Sequence, residues 1–244
     1  MTDVLSLDVH EKRFGDTLIL DHVHVGIKPR EVVALLGPSG CGKSTLLRIA
    51  SGLDRDYVGQ VRLLDHSRQQ QGARRVAFIF QEPRLMPWLT VEENVSFSDG
   101  KRADTGRAHA LLSEVGLAGW ERALPKQLSG GMAQRVAIAR GLYSQPDVLL
   151  LDEPFSAVDA FTRMRLQDLL LSIADSHSIA ILLVTHDIDE SLYLADRVLV
   201  MGSHPGTILH TINVPLPRPR ERTDGRLSTL KVEALESLHG AHAF

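Results

Sequence analysis

The first part of the chain alternates between apolar and polar positions in two short stretches. Residues 4–10 alternate in this way, and residues 23–27 do so again before Pro29. A period of two places apolar side chains on one face of a β-strand and polar side chains on the other. The pattern predicts early antiparallel strands that have one face in contact with water.

Four later runs are short and almost continuously apolar, at residues 31–36, 76–80, 148–151 and 179–184, and segments with helical patterning separate them. Strands that are buried on both faces have this composition, and they are typical of parallel sheets whose strands are connected by helices. The sequence therefore predicts an α/β fold with a parallel sheet.

Two regions depart from this arrangement. Between residues 91 and 147 the patterning is helical, for example over 108–115 and 132–143, which indicates an inserted helical subdomain. From Val214 onward prolines alternate with arginines, at Pro215, Pro217, Pro219 and at Arg218, Arg220, Arg222. This composition favours an extended, solvated tail over packed structure, followed by a short helix over residues 227–238.

Composition narrows the functional class. The 244 residues, of which 43% are hydrophobic and 23% charged, are enough to bury a large interior. A formal charge of -3 gives no reason to expect nucleic acid as a partner. The single Cys41 cannot form an internal disulfide, which fits a reducing compartment. The N-terminus is acidic where a secretory signal is basic, and no apolar run approaches the ~18 residues that span a bilayer. We therefore expect a cytoplasmic chain. If it works at a membrane, it docks onto another protein.

A glycine-rich segment follows the apolar run at residues 31–36 and precedes a helix predicted over residues 45–50. Its sequence GPSGCGKS matches the pattern G-x-x-x-x-G-K-[ST]. Glycines let backbone N–H groups face phosphates, the helix N-terminus adds partial positive charge, and Lys43 adds a full one. Ser44 offers a hydroxyl to Mg²⁺. We therefore predict that nucleotide phosphates are bound by Gly37, Pro38, Ser39, Gly40, Cys41, Gly42, Lys43, Ser44 and Thr45, with Cys41 an inert member of the loop.

Two acids, Asp152 and Glu153, follow the apolar run at residues 148–151. Acids at the carboxyl end of a parallel strand face the ligand crevice. Such a pair could merely begin a turn before Pro154, but its occurrence beside a phosphate-binding loop favours chemistry. We predict that Asp152 holds Mg²⁺ and that Glu153 polarises the attacking water as a general base.

The sequence Leu128-Ser129-Gly130-Gly131-Met132 resembles the signature motif of the ABC transporter ATPases. Other motifs of that family occur in the family's order, so the resemblance covers nearly the whole chain, from about residue 4 to residue 213. In that pattern Phe14 has the place of the aromatic residue that stacks on adenine, Gln81 that of the Q-loop glutamine, Ser156 and Asp159 those of the D-loop, and His186 that of the switch histidine.

Each of these residues also has a simpler structural explanation. His186 could begin a helix over residues 188–194, Gln81 could be an ordinary loop amide, and Phe14 could be a core aromatic. Ser129 and its two glycines could cap the helix that follows, which is compatible with anion binding at the same helix N-terminus.

Three departures from the family pattern are mild. Met132 stands where glutamine is common, Val158 replaces the usual leucine of the D-loop, and Phe14 stands where tyrosine is frequent. None removes a charge or a catalytic atom, and phenylalanine still offers a face for stacking. The resemblance therefore implies a competent ATPase.

The resemblance also implies a fold and a set of ligands. It implies a RecA-like core with an antiparallel β-subdomain over residues 1–90 and 146–213, a helical subdomain over 91–145, and a tail over 214–244. It implies ATP and Mg²⁺ as ligands, with the ion held by Ser44, Gln81 and Asp152. The residues it assigns to hydrolysis are Lys43, Gln81, Glu153 and His186.

Several partners follow from the same resemblance. Residues 128–132 of one copy would close over ATP held by the phosphate loop of a second copy. Two transmembrane permease subunits would dock near residues 81–95, and a periplasmic or lipid-anchored solute-binding protein would deliver the solute. The chain would then lie peripherally on the cytoplasmic face of the inner membrane.

Residues 81–88 and 214–220 are similar to those of nitrate, sulfonate and taurine importer ATPases. Within that group we expect the transported solute to be an aliphatic sulfonate or taurine in preference to nitrate. Thiamine precursors and other oxoanion-like solutes remain open. An ABC-type ATPase of DNA repair or translation usually has a coiled-coil insert or a second cassette, for which 244 residues leave no room. A small-molecule P-loop kinase has no use for residues 128–131 or His186. A regulatory GTPase needs an Asn-Lys-x-Asp sequence, which is absent.

Overall fold

A computed structural model of the protein describes residues 2–63 and 76–241. The outer ends of the predicted domain ranges, residue 1 and residues 242–244, lie outside the described part, as do residues 64–75. The strands within it are β1 (Leu5–Phe14), β2 (Thr17–Ile27), β3 (Val32–Leu36), β4 (Val58–Leu63), β5 (Val76–Ile79), β6 (Val148–Asp152), β7 (Ala180–Thr185), β8 (Arg197–Met201) and β9 (Ile208–Asn213). The α-helices are α1 (Lys43–Ala50), α2 (Val91–Val95), α3 (Thr105–Glu114), α4 (Gly130–Tyr143), α5 (Ala160–Ser176), α6 (Ile188–Leu194) and α7 (Gly225–Ala241).

The strands form two sheets. Strands β2, β1 and β4 make an antiparallel sheet in that order, and the other six follow the order β5-β6-β7-β3-β8-β9. Neighbours from β5 to β8 run parallel, whereas β9 is antiparallel to β8 at the edge. The predicted parallel α/β sheet is thus confirmed, with an antiparallel edge strand added.

Strand β3 explains why the central strands are apolar throughout. Val32, Ala34 and Leu36 pack into one apolar cluster with the helices, while Val33 and Leu35 pack into a second cluster with α1 and the antiparallel sheet. Because both faces of the sheet are covered, all five residues of β3 are buried. The antiparallel strands β1 and β2 keep the predicted alternation, but each is longer than predicted.

The helices predicted over residues 108–115 and 132–143 correspond to α3 and α4, and no strand occurs among the described residues between 91 and 143. Two short 3-10 helices, Phe97–Arg102 and Pro125–Gln127, complete this region. No helix in the described ranges has both the length and the apolar content that a membrane span requires.

Residues 214–220 have no helix or strand, but the prediction that the tail is solvated instead of packed is wrong. Val214 and Leu216 are buried, and the Arg220 side chain is only 1% exposed. Its guanidinium donates hydrogen bonds to the backbone oxygens of Leu192 (3.3 Å) and Tyr193 (2.8 Å) in the last turn of α6. The carbonyls that end a helix have no partner within it, so a buried arginine satisfies them and packs the segment against the core. The helix predicted over residues 227–238 is part of the longer α7.

Candidate functional site

The predicted phosphate loop connects the end of β3 to the start of α1, in the order that the sequence indicated. Gly40 and Gly42 have φ values of 82° and 99°, a region that favours glycine, and Gly42 immediately precedes α1. A cavity of about 260 Å³ lies over the loop and is lined by Phe14, Ile19, Ser39, Gly40, Gly42, Lys43, Ser44, Thr45 and Glu153. The fold therefore brings the loop, the predicted stacking aromatic and the predicted general base to one cavity.

Lys43 is buried beneath this loop. Its Nζ donates hydrogen bonds of 2.8 Å to the backbone oxygens of Gly37 and Pro38, and it lies 3.8 Å from Cys41 Sγ. An ammonium group has three donors and no acceptor, so it can exchange these carbonyl contacts for phosphate oxygens. Cys41 is itself buried, as an inert loop residue would be.

Ser44 and Asp152 meet at the other side of the loop. Ser44 Oγ donates a 2.8 Å hydrogen bond to Asp152 Oδ1, and burial is the main cause of a raised pKa for the Asp152 carboxyl. A cation next to a buried carboxylate would offset that effect. Hydroxyl and carboxylate oxygens are ligands that Mg²⁺ prefers, usually one or two of them together with phosphate oxygens, so these two residues fit the ion. Within the described residues no group of three or more His, Cys, Asp or Glu side chains is placed to hold a metal.

Glu153 follows Asp152 and makes the turn away from β6 with a φ of 44°. A side-chain-bearing residue in this left-handed region costs about 1–3 kcal/mol, and such strain concentrates at functional sites. Its backbone N–H donates to Val184 O (3.0 Å), and its Oε2 lies 3.1 Å from His186 Nδ1. The neighbouring strands β6 and β7 thus bring the predicted general base and the predicted switch histidine into contact.

Gln81 joins the same network through the predicted D-loop. Its Nε2 donates to Ser156 Oγ (3.1 Å), and Ser156 Oγ donates to Glu153 O (3.0 Å). Gln81 is therefore more than an isolated loop amide. Asp159 instead caps α5, with Oδ1 accepting from Thr162 N (3.0 Å), and this hydrogen bonding lowers the Asp159 pKa.

Phe14 ends β1 at the rim of the cavity, and it is 55% exposed. An aromatic ring this exposed is not a core residue. The exposure and the position beside the loop agree with a platform on which a planar ligand can stack.

The signature-like residues lie elsewhere. Ser129 caps α4, with its Oγ accepting from Met132 N (3.3 Å), so the capping explanation is correct for this helix. Gly131 packs closely against α5, because a Cβ there would collide with the Thr162 side chain unless that side chain shifted. None of residues 128–132 lines the cavity over the phosphate loop.

Sequence reasoning missed one buried acid beside His186. Glu190 is 6% exposed, and its Oε2 accepts a 3.1 Å hydrogen bond from Gln167 Nε2. Its backbone N–H donates to Asp187 Oδ1 (3.0 Å), which caps α6. Burial, more than any other cause, raises the Glu190 pKa to about 7. Its position in the first turn after a capping aspartate is the ordinary place for a glutamate, so the sequence carried no indication of its burial.

The sequence of this chain is similar to those of known ATP-binding transport proteins. The profile of the ABC transporter family matches residues 20–156. Over 237 residues the chain is 60% identical to aliphatic sulfonates import ATP-binding protein SsuB 2 of Pseudomonas syringae pv. tomato, an alignment that covers 97% of this chain and 99% of that protein. It is 56% identical over 247 residues to aliphatic sulfonates import ATP-binding protein SsuB 1 of Pseudomonas aeruginosa, with 99% of each chain covered.

Two solved structures share the fold. One is a dimeric post-hydrolysis state of an ATP-binding cassette bound to ADP and Pi, with a TM-score of 0.72, 30% identity, and coverage of 87% of this chain and 100% of that one. The other is cbiO1 from Clostridium perfringens, part of the ABC transporter complex cbiONQ, with a TM-score of 0.77, 27% identity, and coverage of 99% and 98%. The chain therefore belongs to the ABC transporter family, as one of its ATP-binding cassettes.

Proposed function

We propose that this cassette hydrolyses ATP to energise the import of aliphatic sulfonates through a membrane permease. The observation that carries the ATPase assignment is that Ser44 and Glu153 line the cavity over the phosphate loop, with Asp152 in contact with Ser44 and His186 in contact with Glu153. The names of relatives with 54–60% identity over nearly the full length support the solute class.

In this proposal the side chains around the phosphate loop act on ATP from the positions that they have in the structure. Lys43 transfers its N–H donors from the loop carbonyls to the phosphates, and Phe14 stacks on adenine. Glu153 accepts a proton from the attacking water, while His186 and the Gln81–Ser156 contact hold the surrounding turn. Ser44 and Asp152, together with Gln81, would hold Mg²⁺, and the bound ion would supply positive charge that offsets the charge of the phosphates.

A second copy of the chain completes each site. The signature-like residues stand apart from the phosphate loop of their own chain, and they offer a helix N-terminus with Ser129 and Gly131 for a phosphate. The dimeric state of a structural relative supports this arrangement. ATP then favours the closed pair because it binds that state better than the open one.

Permease subunits dock on residues 81–95 in this proposal. Trp88 is 72% exposed there, and Phe97 nearby is 53% exposed, so the region offers apolar side chains to a partner. Half-buried Arg140 holds the segment to α4, since its guanidinium donates to the backbone oxygens of Pro83 (2.7 Å) and Arg84 (2.9 Å). In the complete importer a solute-binding protein delivers the solute, and this cassette lies on the cytoplasmic face of the membrane.

Growth of the source bacterium tests the solute class. A strain lacking this gene should fail to grow with an alkanesulfonate as sole sulfur source, while it grows normally on sulfate. The native gene should restore growth, and a Lys43→Ala gene should not. Growth on the alkanesulfonate without the gene, together with lost use of nitrate or taurine, would reassign the solute and leave the ATPase assignment intact.

A further inference from the structure

Lys12 is a buried cation outside the catalytic network. It lies on β1 two residues before Phe14 and is 1% exposed. Its Nζ donates to Asp54 Oδ1 (3.0 Å) and to the backbone oxygen of Asp56, and Asp56 Oδ2 lies at 3.5 Å. A lysine is almost never buried to this extent unless it is paired. The three contacts occupy its donors and fix the ammonium group in place.

The fixed ammonium group lies against the aromatic ring at the rim of the nucleotide cavity. Lys12 Nζ is 4.7 Å from the centroid of the Phe14 ring, within the range of a cation–π contact. The ring is held by this contact while 55% of Phe14 remains exposed. A cation on one face of a ring draws electron density toward itself, which makes the opposite face a better partner for an electron-rich purine.

The anchor of Lys12 belongs to the same rigid unit as the phosphate loop. Asp54 comes shortly after α1, and its backbone N–H donates to Arg48 O (3.1 Å) in that helix. Helix α1 begins at Lys43, directly after the loop. The path from the loop through α1, Asp54 and Lys12 to Phe14 therefore sets how far the aromatic ring lies from the phosphate-binding groups.

We propose that Lys12 is a positioning residue for the adenine base of ATP and that it acts through the Phe14 ring. The inference rests on the proposed function, in which Phe14 stacks on adenine. A ring that is already held in place loses little freedom when the base binds, so the stacking energy is not spent on ordering it. Lys12 does not contact the phosphates in this view, and its effect is confined to nucleotides that carry a base.

A binding experiment on the full chain separates this role from a general structural one. Calorimetry at one Mg²⁺ concentration measures the Kd of ATP and of inorganic tripolyphosphate for the native chain, Lys12→Met, Phe14→Ala and the double variant. We expect Lys12→Met to weaken ATP about five- to tenfold, within the strength of one desolvated cation–π contact. Tripolyphosphate should bind unchanged, and Lys12→Met should add nothing in the Phe14→Ala background. Lys28→Met, which removes an exposed lysine, is the matched control and should leave both Kd values unchanged.

Removing Lys12 leaves Asp54 without its cation, so Lys12→Met/Asp54→Asn provides a second variant for which the same result is expected. An equal loss of ATP and tripolyphosphate, an undiminished effect in the Phe14→Ala background, or no effect on ATP would overturn the inference. If Phe14→Ala itself leaves ATP binding intact, the proposed stacking role of Phe14 fails. If Phe14→Ala weakens ATP and Lys12→Met does not, only the role of Lys12 fails.

Discussion

Nδ1 of His186 lies 3.1 Å from Oε2 of Glu153, a contact between residues that follow the adjacent strands β7 and β6. The imidazole thus contacts a carboxylate that lines the cavity over the phosphate loop, and the backbone of Glu153 has a φ of 44°. Two residues separated by 33 positions come into contact because parallel neighbouring strands end at the same edge.

Glu153→Gln should abolish most hydrolysis while nucleotide binding persists. The amide keeps the size of the carboxylate but cannot accept a proton, and a general base contributes roughly 10²- to 10⁴-fold to the rate. Single-turnover hydrolysis and ATP binding measure the two effects, and the variant should trap a closed dimer with ATP. Glu236→Gln on α7 is the control and should behave like the native chain. Turnover by Glu153→Gln near the native rate would show that the base lies elsewhere.

A mixed dimer should reveal whether each ATP site is shared between two chains. One chain carries Lys43→Ala and the other carries Ser129→Arg, both in a Glu153→Gln background. If the sites are shared, both substitutions lie in one site, and the other site has a native phosphate loop and a native signature motif. ATP trapped per mixed dimer should then exceed that of either mutant homodimer, in which both sites are damaged.

The comparison is decisive because a site built within one chain would be broken in both halves of the mixed dimer. Trapping in the mixture no greater than in the two homodimers would therefore contradict the shared site.

Trp88→Glu should uncouple transport from hydrolysis. Trp88 is 72% exposed and does not line the cavity over the phosphate loop, so its replacement should leave the basal ATPase of the isolated chain unchanged. A charge in an apolar docking surface should block the permease contact. Trp120→Glu provides a control at another exposed tryptophan and should preserve solute uptake. Equal loss of ATPase and uptake in Trp88→Glu would point to a folding defect.

The stability of the fold should fall as pH rises from about 4.5 to about 7 because of Glu190. Its pKa is raised from an ordinary 4.5 to about 7 in the folded protein, so over that interval the folded state binds more protons than the unfolded state. The contribution of this group to the free energy of unfolding is complete below about 4.5 and is lost as pH passes 7, an amount of about 3 kcal/mol at 1.36 kcal/mol per pKa unit.

Urea unfolding at pH 5 and pH 8 measures this contribution. Glu190→Gln keeps the contact with Gln167 and cannot ionise, so it should reduce the difference between the two pH values by an amount of that order. Glu236→Gln should leave the difference as it is in the native chain. An unchanged difference in Glu190→Gln would mean that the carboxyl ionises normally.

Arg220→Met should destabilise the protein strongly. The substitution removes a buried guanidinium that bonds the backbone oxygens of Val214, Leu192, Tyr193 and Leu216, and it leaves those carbonyls unsatisfied. Loss of a buried charge network of this kind costs about 3–5 kcal/mol. Arg226→Met, at an exposed arginine of α7, is the control in thermal unfolding. Equal melting temperatures for Arg220→Met and the native chain would show that the segment contributes little.

Local patterns determined much of this protein. The strand, the glycine-rich loop and the helix around Lys43 are contiguous, so their order and chemistry could be predicted directly. The same holds for the acids at the end of β6, and helix α6 has the bounds predicted for it, Ile188–Leu194. In each case the residues that define the feature are neighbours along the chain, and their hydrogen bonds are set by strand and helix periodicity.

Tertiary structure decided the features whose partners are distant. Alternating prolines and arginines at 215–222 indicate solvent exposure, yet Arg220 is buried because the orphan carbonyls of α6 lie where its side chain ends. Lys12 is buried because the turn after α1 places Asp54, 42 positions away, within hydrogen-bond distance of its ammonium group. Glu190 is buried because α5 supplies Gln167. A charged side chain is placed inside only when the fold delivers its hydrogen-bond partner, and residue order along the chain does not carry that information.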